Sequence, residues 1–246
     1  VEAVGAYDGG AMEVIEIQSD FDLEMQGKWI GYQDSEIRRY EPGVRSEGLH
    51  VSEIIREIAT GVGILKREDS NELDWTLARY KLQRGEDFVS LYPAAIYRVA
   101  LGLAWEEWLG ARHPEFGFHG LGELERDGII GSLDGLQFDE WGPLVHEIKL
   151  TWKSSRSDRE SAQERFSTEW LWPAQCKSYC YLASLPGDIC TRAMLHVMWV
   201  NGNYKGSGPE YRTYLLKFMP KEILTTWKQM QIVGKRLMEE RCRNAQ

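Results

Sequence analysis

The stretch that most constrains this chain is residues 128–153, GIIGSLDGLQFDEWGPLVHEIKLTWK. Ile129, Ile130 and Leu133 make an apolar lead into Asp134, and Gly135 marks a break in that strand. Asp139 to Pro143 supplies turn residues before a second strand over 144–151, so the stretch is predicted as a β-hairpin with a longer loop. Side chains alternate along a strand. Val145, Glu147, Lys149 and Thr151 therefore share one face, and His146, Ile148 and Leu150 share the other. With Asp134 from the neighbouring strand, Glu147 and Lys149 make a place to hold a divalent cation and a water.

A chain of 246 residues that is 43% hydrophobic, with 10 Trp and 11 Tyr, has ample material for a real core. The expected organisation is an acidic N-terminal extension over 1–44 and one α/β domain over 45–246. No apolar run reaches membrane-spanning length and no secretory pattern opens the sequence, so a cytoplasmic location is expected, with no membrane partner. The four cysteines, Cys176, Cys180, Cys190 and Cys242, form no C-x-x-C pair. Cys176 and Cys180 lie one helical turn apart, which leaves a metal or iron–sulfur reading beside the ordinary one of partly buried thiols.

The net charge of -9 is the wrong sign for a partner of nucleic acid, but its distribution matters more than its sum. Residues 1–41 carry ten acids and three bases, which leaves the rest of the chain near neutral and able to carry a local basic track. One candidate track is Lys149, Lys153, Arg156, Arg159, Arg165 and Lys177; a second runs over 217–243, where solvated helix faces are an equal reading.

Along the chain, residues 12–17 alternate as an edge strand or an oligomer contact, and helices are predicted over 49–59, 71–84 and 87–109, the last interrupted near Pro93. On that last helix Arg98, Gly102 and Glu106 recur every four residues and share one face, Gly102 allowing a neighbour to approach closely. Glu107, about 100° further round, is the alternative acid. A strand over 118–126 turns through Asp127-Gly128, a strong hairpin signal, and His119 and Glu123 are candidates to face the site. His113, His119 and His146 read as structural or exposed, since no pair stands at ligand spacing within one element. Beyond Lys153, residues 166–185 read as helical, with Pro173 opening the main part and Gln175 and Tyr179 one turn apart beside Lys177. Strands over 193–200 and 211–218 and an amphipathic helix over 221–241 complete the chain, and there is no internal repeat, P-loop or G-x-G-x-x-G.

An acid two positions before a lysine arises by chance roughly once or twice in a chain of this composition, so Glu147-x-Lys149 alone is a weak signal. The order is more specific: Arg98-x3-Gly102-x3-Glu106, then Asp134, then Glu147-x-Lys149 thirteen residues on, then Gln175-x3-Tyr179. These motifs resemble the PD-(D/E)xK nuclease superfamily, and within it the RecB-like and lambda-exonuclease-like phage exonucleases, over about residues 45–200. Residues 45–54, RSEGLHVSEI, resemble the opening of those exonucleases, and Leu133 stands where the superfamily's name has proline.

The resemblance implies a restriction-endonuclease-like α/β core, a central mixed β-sheet flanked by helices, with an N-terminal helical elaboration. It implies Mg²⁺ or Mn²⁺, as a pair of ions, on Glu106, Asp134, Glu147 and the backbone carbonyl of Ile148. Lys149 would orient or deprotonate the attacking water, or balance charge in the transition state, and Arg98, Lys153, Gln175, Lys177 and Tyr179 would contact substrate. The implied activity is a DNA exonuclease of viral recombination, replication or repair, with a homo-oligomer and a single-strand annealing or recombination protein as partners. An endonuclease on the same core and a catalytically idle scaffold that binds nucleic acid or protein are the competing readings. An iron–sulfur cluster is disfavoured, because the cysteines all follow Lys149 instead of flanking the core.

Overall fold

The structure, a computed structural model, describes residues 12–17, 38–39, 48–65, 93–114, 122–155, 162–202 and 209–244. The helix expected over 71–84, the first part of the strand expected over 118–126, His119, Arg156 and Arg159 lie outside the described residues. In chain order the elements are β1 (Glu13–Ile17), β2 (Arg38–Arg39), β3 (Leu49–His50), α1 (Val51–Gly61), α2 (Pro93–Arg112), β4 (Glu123–Arg126), β5 (Ile129–Ser132), β6 (Gly135–Asp139), β7 (Gly142–Thr151), α3 (Ala162–Thr168), α4 (Leu171–Leu182), β8 (Arg192–Trp199), β9 (Glu210–Lys217) and α5 (Pro220–Asn244).

The strands form two sheets, one ordered β1-β9-β8-β7-β6 and a smaller one ordered β2-β4-β5-β3. The larger is mixed, because β7 and β8 run parallel while its other neighbours are antiparallel. Its two faces are covered differently. Val145, Leu195, Val197, Tyr214 and Leu216 pack into the main core with Leu124 and Ile129 of the smaller sheet and with residues of α1, α4 and α5. Ile148, Leu150, Met198 and Tyr211, on the opposite face, receive Trp105 and Leu109 of α2. Helices thus flank the central mixed sheet, the α/β architecture expected, and β7 is buried on both sides through the six residues Pro143 to Ile148.

Local chemistry sets several element ends. Asp127 and Gly128 take positive φ, 55° and 74°, between the paired Arg126 and Ile129, as a two-residue hairpin of the mirror-image type requires. Pro93 is the first described residue of α2, a position where its missing N–H is no loss; residues 87–92 of the helix expected over 87–109 lie outside the described residues. At the start of α5, Glu222 reaches back to accept the Met219 N–H at 2.9 Å, half of a capping box.

One expectation is corrected. Gly135 opens a strand instead of marking a break, and the turn expected over Asp139 to Pro143 shortens to Glu140 and Trp141, because β6 pairs with β7 from Gly135↔His146 to Asp139↔Gly142. The Trp141 N–H to Asp139 Oδ1 bond, 2.9 Å, holds that turn, and Arg192 grips both oxygens of Asp139. The strand break accordingly falls at Leu133 and Asp134, where the chain leaves the smaller sheet and enters the larger. β1 is the outer strand of the larger sheet, paired with β9, and Met12 is buried in the main core.

Candidate active site

Asp134 sits at the crossing between the two sheets, just ahead of β6, and accepts the Ile148 N–H on Oδ2 at 2.6 Å. The β6–β7 ladder has ended by then, its last pair being Gly135↔His146. Ile148 therefore presents its backbone to a side chain instead of a strand, and its carbonyl lies on the same edge as its N–H. One residue either side, Glu147 and Lys149 occupy the opposite sheet face, where Lys149 Nζ donates to Glu147 Oε1. Two short stretches of chain, 134 and 147–149, thus supply two carboxylates, one ammonium and one backbone edge at a single point.

The electrostatics of that point are strained by design of the packing. Glu147 is 1% exposed. Burial pushes its carboxyl up to about 8; Asp134 adds to the rise, Lys149 opposes it, and Glu106 adds again. Burial also works against the Lys149 ammonium, but the Glu147 and Asp134 carboxylates outweigh it and hold Lys149 above its ordinary value. The thiol of Cys176 on α4 feels the same groups: burial first, then Glu147, drive it well above the usual thiol range.

Glu106 reaches this field from α2. Trp105 of α2 packs with Ile148 of β7, so the residues next to each in sequence, Glu106 and Glu147, flank one contact. Glu106 is half-buried whereas Glu107 is exposed, and it is Glu106 that acts on Glu147. At Gly102, where a close approach was expected, a Cβ would meet no described atom within 4 Å. The side chain of Arg98 lies outside the described residues.

The remaining expected residues divide. Gln175 Nε2 donates to the Tyr179 hydroxyl at 2.8 Å, and Tyr179 itself is buried with its ring against Gly131. Lys153 stays accessible, paired with Glu169, its Nζ 5.8 Å from the centre of the Trp172 ring. Lys177 is turned away: it is 6% exposed, pairs with Glu222 at 3.1 Å and lies over the Phe218 ring. It ties α4 to α5, which corrects its assignment to substrate contact; two residues along a helix from Gln175 is about 200° of rotation. Glu123 is buried with the Ser132 hydroxyl 3.2 Å away and His50 at 3.8 Å. His146 is buried between His196 and Gln137 on the face behind the site.

Sequence reasoning missed two contributors. Cys176 adjoins the motif residue Gln175, and neither the thiol reading nor the metal reading of the Cys176–Cys180 spacing places it at this site; its position in the field of Glu147 and Lys149 comes from the helix packing on β7. Gly131 carries the close approach that Gly102 was expected to carry, since a Cβ there would run into Leu182 and Tyr179 of α4. A glycine inside an apolar strand was the available signal.

A cation suits this site by one observation. Glu147 Oε2 is buried and has no hydrogen-bond partner among the described residues, and the carboxylates of Asp134 and Glu106 act on the same side chain through their charge. The acids share a field without forming a closed cage: among the described residues no three Asp, Glu, His or Cys are grouped to hold an ion as they stand. Cys176, Cys180 and Cys190 are buried free thiols. Among the described residues no helix is long and apolar enough to cross a membrane.

No family model and no curated protein sequence matches the chain. Among solved structures, the crystal structure of LHK-Exo in complex with dAMP is similar over 80% of this chain and 93% of that one, at 14% identity and a TM-score of 0.39. A likeness of that degree adds nothing to the chemistry of the site, which stands on the geometry of Asp134, Glu147 and Lys149.

Proposed function

We propose that the chain is a divalent-cation-dependent deoxyribonuclease that removes nucleotides from DNA ends. The observation that supports it most is the buried Glu147 Oε2, without a hydrogen-bond partner among the described residues and in the field of Asp134 and Glu106, with the Lys149 ammonium on the other oxygen. Asp134, Glu147, Glu106 and the Ile148 carbonyl would hold Mg²⁺ or Mn²⁺, as two ions, a hard oxygen set for hard cations. The chemistry supplied by such ions would be to neutralise the phosphate oxygens and to make a water acidic enough to ionise near neutral pH.

The chain's own residues do the rest. Asp134 is oriented before substrate arrives, because the Ile148 N–H fixes one of its oxygens. Lys149, held above its ordinary value by two carboxylates, remains an ammonium at neutral pH. Of the roles open to it, a fixed positive charge that orients the water and offsets charge on the phosphate suits it better than a base. Gln175, Tyr179, Lys153 and Arg98 would contact the substrate strand, Lys153 most plainly, as an exposed cation over an aromatic ring. The motif order extends the reading to viral recombination, replication or repair in a host cytoplasm, with a homo-oligomer or an annealing protein as partner.

The test is a digest of end-labelled linear duplex, circular duplex and single-stranded DNA with Mg²⁺, Mn²⁺ or EDTA. Loss of label from linear DNA with either ion, none in EDTA and an intact circle are expected. Cutting of the circle makes the enzyme an endonuclease on the same site. Inactivity on every DNA form with both ions overturns the reading and leaves a binding scaffold.

A further inference from the structure

Behind the site, on the sheet face that α2 covers, four polar side chains from four adjacent strands are joined in a line. Gln137 Oε1 lies 3.2 Å from His146 Nε2, His146 Nδ1 lies 2.9 Å from His196 Nε2, and His196 Nδ1 lies 2.7 Å from the Tyr211 hydroxyl. The direction of the line follows from chemistry. An amide oxygen only accepts, so His146 Nε2 carries the hydrogen and its Nδ1 accepts from His196, whose Nδ1 in turn accepts from Tyr211. Gln137, His146 and His196 are 1%, 0% and 0% exposed. Apolar residues of similar volume would fill this space at no desolvation cost, so a polar line here contributes a fixed geometry more than stability.

Its end point shows what is fixed. The Tyr211 ring lies nearly parallel to His196 and meets the Trp105 ring edge-on, with centroids 5.2 Å apart. Trp105 Nε1 is buried with no hydrogen-bond partner among the described residues; the indole is packed on Tyr211, against Ile148 and stacked with Trp108. Glu106 follows Trp105, and Glu147 precedes Ile148. We propose that the line from Gln137 to Tyr211 positions Glu106, by setting the height at which Trp105 rests on the sheet and hence the gap between Glu106 and Glu147. Tyr211 and Trp105 are positioning residues, an inference that rests on reading Glu106, Asp134 and Glu147 as one cation site.

The experiment is Mg²⁺ binding to the full chain by calorimetry, without DNA, alongside kcat and KM on linear duplex. Tyr211→Phe, which deletes one hydroxyl, is expected to weaken Mg²⁺ binding at least fivefold and lower kcat, with KM for DNA within twofold of wild type. Trp105→Phe is expected to act in the same direction, while Met198→Leu in the same apolar cluster leaves binding unchanged. Mg²⁺ binding within twofold of wild type in both Tyr211→Phe and Trp105→Phe overturns the proposal. Loss of binding in Asp134→Ala together with that result sinks only the positioning role. Unaltered binding in Asp134→Ala sinks the site itself.

Discussion

Mg²⁺ binding at this site should be tied to one proton, and the pH at which the tie appears is set by Glu147. Its carboxyl is pushed up to about 8 by burial and by Asp134 and Glu106, whereas a cation needs it ionised. At pH 7 about one site in ten is then ionised, and at pH 6 about one in a hundred. The apparent dissociation constant should rise about tenfold for each pH unit below 8, or about 1.4 kcal/mol per unit, and level off above it. Calorimetry between pH 6 and 8.5, in buffers of different ionisation enthalpy, reads both affinity and proton release. Close to one proton released per site at pH 6.5 is expected. Glu147→Gln should remove the pH dependence along with most of the affinity. An apparent affinity that changes less than about threefold between pH 6 and 8 would refute the claim that burial and neighbouring acids hold a proton on Glu147.

Without divalent ions, stability should peak near pH 6.5. His146 is held down to about 3 by burial and His196 well below its usual value, so below about 6.5 the unfolded chain takes up two protons that the folded chain refuses. Glu147 works the other way: the folded chain keeps a proton that the unfolded chain releases, so stability falls as pH rises toward about 8, by at most roughly 5 kcal/mol. Guanidinium unfolding in EDTA from pH 5 to 8.5 checks this, and a steady rise across the range contradicts it. Lys177→Met should leave KM for DNA unchanged while lowering stability by about 3 kcal/mol, the effect of stranding Glu222 partly buried and unpaired; thermal melts and initial rates together decide it. Gly131→Ala should destabilise by about 1–3 kcal/mol through overpacking against α4, whereas Gly102→Ala, at an open helical position, should be neutral or stabilising by up to about 1 kcal/mol. Equal melts for the two variants would count against the packing of β5 on α4.

What could be read in the sequence was what local rules determine. Asp127-Gly128 declares its turn within two residues, and the alternation that puts Glu147 beside Lys149 needs only the period of a strand. The closeness of Asp134 to the backbone beside Glu147 follows from a strand, a connection and a strand, and in the structure the connection is largely β6. That strand was hidden because Leu136-Gln137-Phe138 is a short alternation between a glycine and turn residues, and its buried Gln137 is satisfied by His146, nine residues away. The fate of Lys177 depends on Glu222, 45 residues on, and nothing near Lys177 announces it. Likewise a glycine does not reveal whether a neighbour approaches it: Gly131 has α4 against it, and Gly102 has no described atom within 4 Å of where a Cβ would stand. The choice of Glu106 over Glu107 turns on which side of α2 faces the sheet, and Trp105 and Leu109, one turn apart, define that side only once they are seen against Ile148.

On the function proposed above, Asp134, Glu147, Glu106 and Lys149 act as one hydrolytic site. Single-turnover cleavage of end-labelled linear duplex at saturating Mg²⁺, for the wild-type chain and for Lys149→Ala, tests it most directly, with thermal melts run on both. Removing one ammonium should slow cleavage about 10²–10⁴-fold while the fold remains intact. Cleavage by a folded Lys149→Ala at the wild-type rate would contradict the claim.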